Sequence, residues 1–178
     1  MASILFLALC CFSLIVIYTF RLGVSPMPSS KKAKDAMVRF LLQNIEGGKI
    51  YELGSGWGGL AERLAKEYPK ATVLAIELSP VPYFYSRARQ LLCKRTNLII
   101  LRKDFHEHDL SDAKAVICYL FPDAMKKLAL KLKKEVAGPC PIITNTFSLE
   151  GWNENALIFL DDLAATRIYR YNALKNLD

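Results

Sequence analysis

Three glycines at alternate positions, Gly54, Gly56 and Gly58, sit between a short apolar run and a stretch of strong helix formers, and few folds accept that arrangement. The run Lys49-Ile50-Tyr51-Glu52-Leu53 reads as a strand, Leu60 to Tyr68 as a helix, and the glycines as the turn joining them. Strand, glycine turn and helix form the opening unit of a doubly wound α/β sheet. Glycine lets the backbone enter the left-handed region and lets a ligand lie directly against the main chain. A second strand, Ala71 to Ile76, ends in Glu77. That acid follows Gly54 by 23 residues, where nucleotide-binding βαβ units carry the group that holds a ribose. A nucleoside-bearing cofactor is the implied ligand.

Two kinds of cofactor compete. Gly54, Gly56 and Gly59 satisfy G-x-G-x-x-G, the dinucleotide fingerprint. A dinucleotide brings a pyrophosphate to the helix N-terminus, and Glu52 would oppose its charge. A carboxylate at that position suits a cofactor with a cationic end, such as the amino group of a methionine moiety. The segment Glu52-Leu53-Gly54-Ser55-Gly56-Trp57-Gly58 resembles the first motif of class I S-adenosylmethionine methyltransferases. The resemblance implies S-adenosyl-L-methionine as cofactor, lined by Glu52, Gly54, Ser55, Gly56 and Gly58, with Glu77 on the ribose hydroxyls. A nicotinamide-dependent oxidoreductase and a non-catalytic nucleotide-binding module are the alternatives from other classes.

The 178 residues leave room for one domain of ordinary size and an appendage. Ala2 to Phe20 is uncharged and rich in Leu, Ile, Phe and Val, close to the ~20 residues that span a bilayer as a helix. No basic residue precedes it, and bulky Ile17, Tyr18 and Phe20 crowd its end, which does not fit a cleaved signal peptide. Arg21, Lys31, Lys32 and Lys34 follow, so the positive-inside rule puts the body on the cytoplasmic side. The expectation is a single-pass transmembrane anchor over 1–21, a Pro/Ser linker over 22–30 and a methyltransferase domain over 31–178. Localisation would then be at a membrane. The net charge of +7 suggests an anionic neighbour. Without an arginine-rich or RNP-like motif, a lipid surface is favoured over nucleic acid. Five cysteines with no C-x-x-C pair argue against a disulfide framework or a zinc site.

Further along, Ser30 is placed to cap a helix whose Ala33, Met37, Phe40 and Leu41 share one face. The aromatics Tyr83, Phe84 and Tyr85 open the helix after Pro80 and read as packing groups. A third strand, Asn97 to Lys103, ends at Asp104-Phe105. An acid with an aromatic there resembles the family's adenine-binding position, the acid accepting from the exocyclic amine and the ring covering a face. His106-Glu107-His108-Asp109 reads as a polar loop, with no metal expected. Ala113 to Leu120 forms strand four. Tyr119 and Asp123 lie at its carboxyl end, where open α/β sheets bind ligands, and are the candidate catalytic residues. The following helix carries Lys126, Lys127, Lys131, Lys133 and Lys134. Strand five spans Pro141 to Ser148, and 157–161 and 167–171 form an antiparallel hairpin. The expected fold is α/β, Rossmann-like, seven-stranded, with a C-terminal β-hairpin and one N-terminal transmembrane helix.

Taken together, the anchor, linker, Gly-Ser-Gly site and the Phe147…Trp152 ending resemble the small membrane-anchored protein-lysine methyltransferases, in layout over residues 20–172. That group tends to carry Asp where this chain has Trp57. The resemblance implies methyl transfer to a lysine of a membrane-associated protein. A lipid, a quinone or another small molecule is the alternative acceptor.

Overall fold

Helical and extended segments alternate along the chain because apolar residues switch between a period near 3.6 and short unbroken runs. The computed structural model describes residues 5, 6, 9, 12–14, 16–18, 29–41, 45 and 47–173. Among these the elements run α1 (Lys31–Leu41), β1 (Lys49–Leu53), α2 (Gly59–Glu67), β2 (Thr72–Ile76), α3 (Pro80–Cys93), β3 (Leu98–Leu101), β4 (Ala113–Cys118), α4 (Pro122–Glu135), β5 (Pro141–Asn145), β6 (Ala156–Phe159) and β7 (Arg167–Asn172). The strands form one sheet in the order β3-β2-β1-β4-β5-β7-β6. Strands β1 to β5 are parallel, and β7 runs antiparallel between β5 and β6. The expected seven-stranded α/β sheet with its C-terminal hairpin is therefore present.

Each face of the sheet has its own core. Met37, Leu41, Leu60 and Leu64 from α1 and α2 cover Ile50, Val73, Ile117 and Ile143 on one side. Met125, Leu128 and Leu132 from α4, with Trp152, cover Tyr51, Leu53 and Val116 on the other. β1 is buried along Ile50 to Leu53, as a central parallel strand must be. The hydroxyl of Ser30 accepts from the Ala33 N–H at 3.1 Å, so α1 begins with the side-chain cap expected of it.

Register places the carboxyl ends of the parallel strands on one line. Leu101 pairs with Ile76, Ile76 with Leu53, Leu53 with Cys118 and Cys118 with Thr144. Strand order reverses between β1 and β4, so the rim beyond Leu53 and Cys118 is where a ligand crevice forms. Two strands stop earlier than their apolar runs. β4 ends at Cys118 because the chain turns into α4, and β5 ends at Asn145 because Thr146 takes φ 67 and leaves the ladder.

The N-terminal expectation needs correcting. No helix among the described residues is long and apolar enough to cross a membrane. A spanning helix needs about 20 consecutive apolar residues. The described positions between 5 and 18 are helical but make no such length, and the rest of 1–21 and all of 22–28 lie outside the described residues. The transmembrane helix in the expected fold, and the single-pass localisation with a cytoplasmic catalytic domain, are both overturned on that finding. An acceptor at a membrane rested on the same anchor and has no support in the described residues.

Trp152 closes the core beneath α4. It is buried, donates its indole N–H to the Ala129 carbonyl at 3.2 Å and meets Tyr171 edge-on at 6.2 Å. Trp152→Ala should cost about 3–5 kcal/mol in urea denaturation. Trp152→Phe, which keeps most of the packing and drops one hydrogen bond, should cost about 1 kcal/mol.

Candidate active site

The rim of the sheet carries the site because every parallel strand delivers its next residues there. β1 delivers the glycine turn. Gly54, Gly56 and Gly58 all have positive φ, at 69°, 52° and 74°. Two of them are close-packed: a Cβ on Gly54 would stand 2.6 Å from Leu120 Cδ2, and one on Gly58 would stand 2.8 Å from Ser86 Cβ. A Cβ on Gly56 would meet nothing within 4 Å. The open space over Gly56 leaves room for a ligand to lie on the backbone. The Gly58 N–H donates to the Ser55 carbonyl at 3.0 Å, so Ser55 to Gly58 is a tight turn with Gly56 and Trp57 at its tip.

Glu77, just past β2, locks this turn. Its Oε2 accepts from the Gly56 N–H at 2.7 Å and its Oε1 from the Ser79 N–H at 2.7 Å. The carboxylate is buried, and each oxygen keeps a lone pair for a further donor such as a ribose hydroxyl.

Glu52 is the site's anomaly. It lies on β1 one residue before the rim, 5% exposed, and its Oε2 has no hydrogen-bond partner among the described residues. Burial, then repulsion from Glu77, pushes its pKa up to about 8, against the Ala61 N–H and the charge of Lys34, which favour the ionised form. A buried acceptor without a donor beside an open glycine cradle fits a cationic ligand group. The buried Ser55 hydroxyl is also without a partner among the described residues. These residues fit S-adenosyl-L-methionine, whose ammonium end would meet Glu52.

The remaining expected residues arrive from the neighbouring strands. Asp104 and Phe105 follow β3. One Asp104 oxygen accepts from the His106 N–H at 2.8 Å, and the Phe105 ring lies 4.1 Å from that of His106 while packing on the core beneath α4. His106 and His108 face different partners, the second lying 5.5 Å from Tyr51. Among the described residues no group of three or more metal-ligating side chains gathers. Past β4, Tyr119 is half-buried and Asp123 is exposed on the first turn of α4. Trp57, standing where the resembled group tends to have Asp, sets its ring edge-on to Tyr85 at 5.3 Å. Tyr85 therefore supports the turn as well as its own helix.

Lys34 was not among the expected site residues. It belongs to α1, yet its Nζ lies 3.1 Å from where a Cβ on Gly59 would be. Only the packing of α1 against α2 brings it there, and no local motif marks it. A separate cavity of about 540 Å³ lies between Asp35, Arg39 and Phe40 of α1 and Ile158 and Leu160 at β6, and none of the glycine-turn residues lines it.

The family described as the ANTKMT methyltransferase domain matches residues 52–156, more than half of the chain. The chain belongs to this family. A protein-lysine N-methyltransferase of Saccharolobus islandicus (strain REY15A) is 25% identical to it over 119 residues, 64% of this chain and 71% of that protein. An RNA methyltransferase from Salinibacter ruber, solved in complex with S-adenosyl-L-homocysteine, superposes with a TM-score of 0.73 at 24% identity, over 83% of this chain and 94% of that one. A precorrin-6y C5,15-methyltransferase from Geobacter metallireducens GS-15 gives 0.63 at 12% identity, over 81% and 92%. At these identities the two structures establish a common fold. The ANTKMT-family chain is an S-adenosylmethionine-dependent methyltransferase.

Glu52 makes the ligand-free protein pH-sensitive in a defined direction. Its folded pKa is raised from 4.5 to about 8, so the unfolded chain loses this proton first as pH rises. Stability from this group is full below pH ~4.5 and falls through pH ~8, by at most about 1.4 kcal/mol per unit. Denaturant titrations of the ligand-free protein from pH 5 to 8 should show that decline, and Glu52→Gln should remove it. Gly56→Ala should weaken S-adenosylhomocysteine binding in calorimetry more than it weakens folding. Gly58→Ala should instead cost about 1–3 kcal/mol of stability, because its Cβ collides with Ser86 at a left-handed φ.

Proposed function

We propose that this methyltransferase acts on the ε-amino group of a lysine in a protein substrate. The observation that carries the reading is the apolar acceptor side of the rim. Leu120 and Phe121 follow β4, Phe147 follows β5, and Tyr119 is half-buried beside them. A lysine reacts only as a neutral amine, and a desolvated setting lowers its pKa towards that form. The match to a protein-lysine N-methyltransferase over most of that relative's length points the same way.

When bound, the cofactor supplies a methyl on a sulfonium sulfur: the amine lone pair forms the N–C bond as the S–C bond breaks, and the electron pair stays on sulfur. The protein's contribution is mainly position. Glu52 would hold the cofactor's ammonium and Lys34 its carboxylate. Glu77 would hold the ribose, Asp104 the exocyclic adenine amine and Phe105 one side of the adenine ring. Tyr119 would orient the acceptor nitrogen. Asp123, exposed on the first turn of α4, would take up the proton that leaves it.

The direct test is incubation with methyl-labelled S-adenosylmethionine and a cell extract, followed by separation into protein, RNA and organic-extractable fractions. Label should enter protein and digest to mono-, di- or trimethyl-lysine. Label confined to RNA or to small molecules would overturn the lysine assignment. Glu77→Ala should lower S-adenosylmethionine affinity by about 10–100-fold, the range for losing hydrogen bonds to a charged group.

A further inference from the structure

Two residues at the rim break local rules side by side. Phe121 occupies the N-cap of α4, where Ser, Thr, Asp or Asn normally accepts an N–H, and it provides no side-chain cap. Thr146 is β-branched yet lies at φ 67. It is the centre of a three-residue turn closed by the Phe147 N–H on the Asn145 carbonyl at 2.8 Å. Turns of this hand are rare and strained. Its surroundings hold it there: the Thr146 N–H donates to the Arg167 carbonyl at 2.7 Å, and the Thr144 hydroxyl to the Phe147 carbonyl at 2.7 Å. Over-determined strain of this kind collects at binding sites.

Both departures lead to one result. Cys118 and Thr144 are register partners at the ends of β4 and β5, and Phe121 and Phe147 each stand three residues beyond. Their rings meet at 5.9 Å between centroids with a 33° tilt. Phe121 remains 36% exposed, and Phe147 packs on the core beneath α4. Leu120, adjacent to Phe121, is the side chain that presses on Gly54. The two rings therefore continue the wall that starts at the cofactor's glycine turn.

We propose that Phe121 and Phe147 form the side wall of the acceptor channel, along which the methylene stem of the substrate lysine lies while its nitrogen reaches the cofactor. The assignment rests on the protein-lysine reading above. Ring spacing rules out one alternative. A planar base sandwiched between two rings needs two contact layers of ~3.5 Å, about 7 Å in all, and the rings stand 5.9 Å apart. A continuous apolar wall instead favours an aliphatic chain, which gains by the area it buries.

The test uses a bisubstrate probe, S-adenosylhomocysteine whose sulfur carries a butylamine arm, compared with S-adenosylhomocysteine itself by calorimetry on the full chain. The arm should add about tenfold or more in affinity, and Phe121→Ser and Phe147→Ala should each cut that gain below about threefold. Phe121→Ser puts a preferred residue at the N-cap, which offsets the packing lost with the ring and keeps the variant folded. Affinity for S-adenosylhomocysteine alone should stay within about twofold in both variants. A gain in the parent that survives both substitutions overturns the wall alone. An arm that adds nothing in the parent overturns the lysine reading and the wall with it. An arm ending in a nucleobase that gains more than butylamine overturns both in favour of a nucleic-acid acceptor.

Discussion

The Glu77 carboxylate grips two backbone N–H groups, those of Gly56 and Ser79, and the rest of the site depends on that grip. One bond fixes the tip of the glycine turn after β1, and the other fixes the start of α3 after β2. Two neighbouring strands are thereby tied at the rim proposed to hold the cofactor. The turn could not take this path with side chains at Gly54 or Gly58, because Leu120 and Ser86 already occupy the space. Of these three glycines Gly56 alone is left open, and we propose that opening as the cofactor's binding surface.

Charge in this small volume is arranged so that the ligand completes it. Glu52 and Glu77 are buried close enough to repel each other, and Lys34 from α1 offsets part of that repulsion. A buried carboxylate short of a donor is costly when charged and unpaired. A cofactor with an ammonium group removes that cost, whereas a pyrophosphate would add to it. In the proposed site the chemistry of the glycine turn would favour the first of two cofactors whose sequence fingerprints overlap.

The acceptor side works by a different principle. The proposed cofactor side holds polar atoms without partners among the described residues, and the proposed acceptor side is lined by rings. Phe121 and Phe147 reach it only because the chain accepts a poor helix cap and a left-handed threonine. Local preference is overridden at these two positions, as is expected where function constrains a fold, which accords with the proposed wall.

Much of this was legible in the residues themselves. The strand–glycine–helix pattern, the acids at 52 and 77 and the succession of seven strands along the chain follow from local periodicity and spacing, which short stretches of sequence carry in full. The N-terminal run shows the limit of that reasoning: apolar composition over 2–20 suggested a span, yet no described helix has the length and apolarity to cross a bilayer. Lys34 and the Phe121–Phe147 pair lay beyond local reading. Lys34 reaches the glycine turn through the packing of α1 on α2, and the two rings meet because β4 and β5 are register partners. Sequence by itself determined the strands, the turn and the acids, since each depends on neighbours a few residues away. Tertiary structure alone decided which distant side chains share the rim, because that depends on strand order and helix packing across the whole chain.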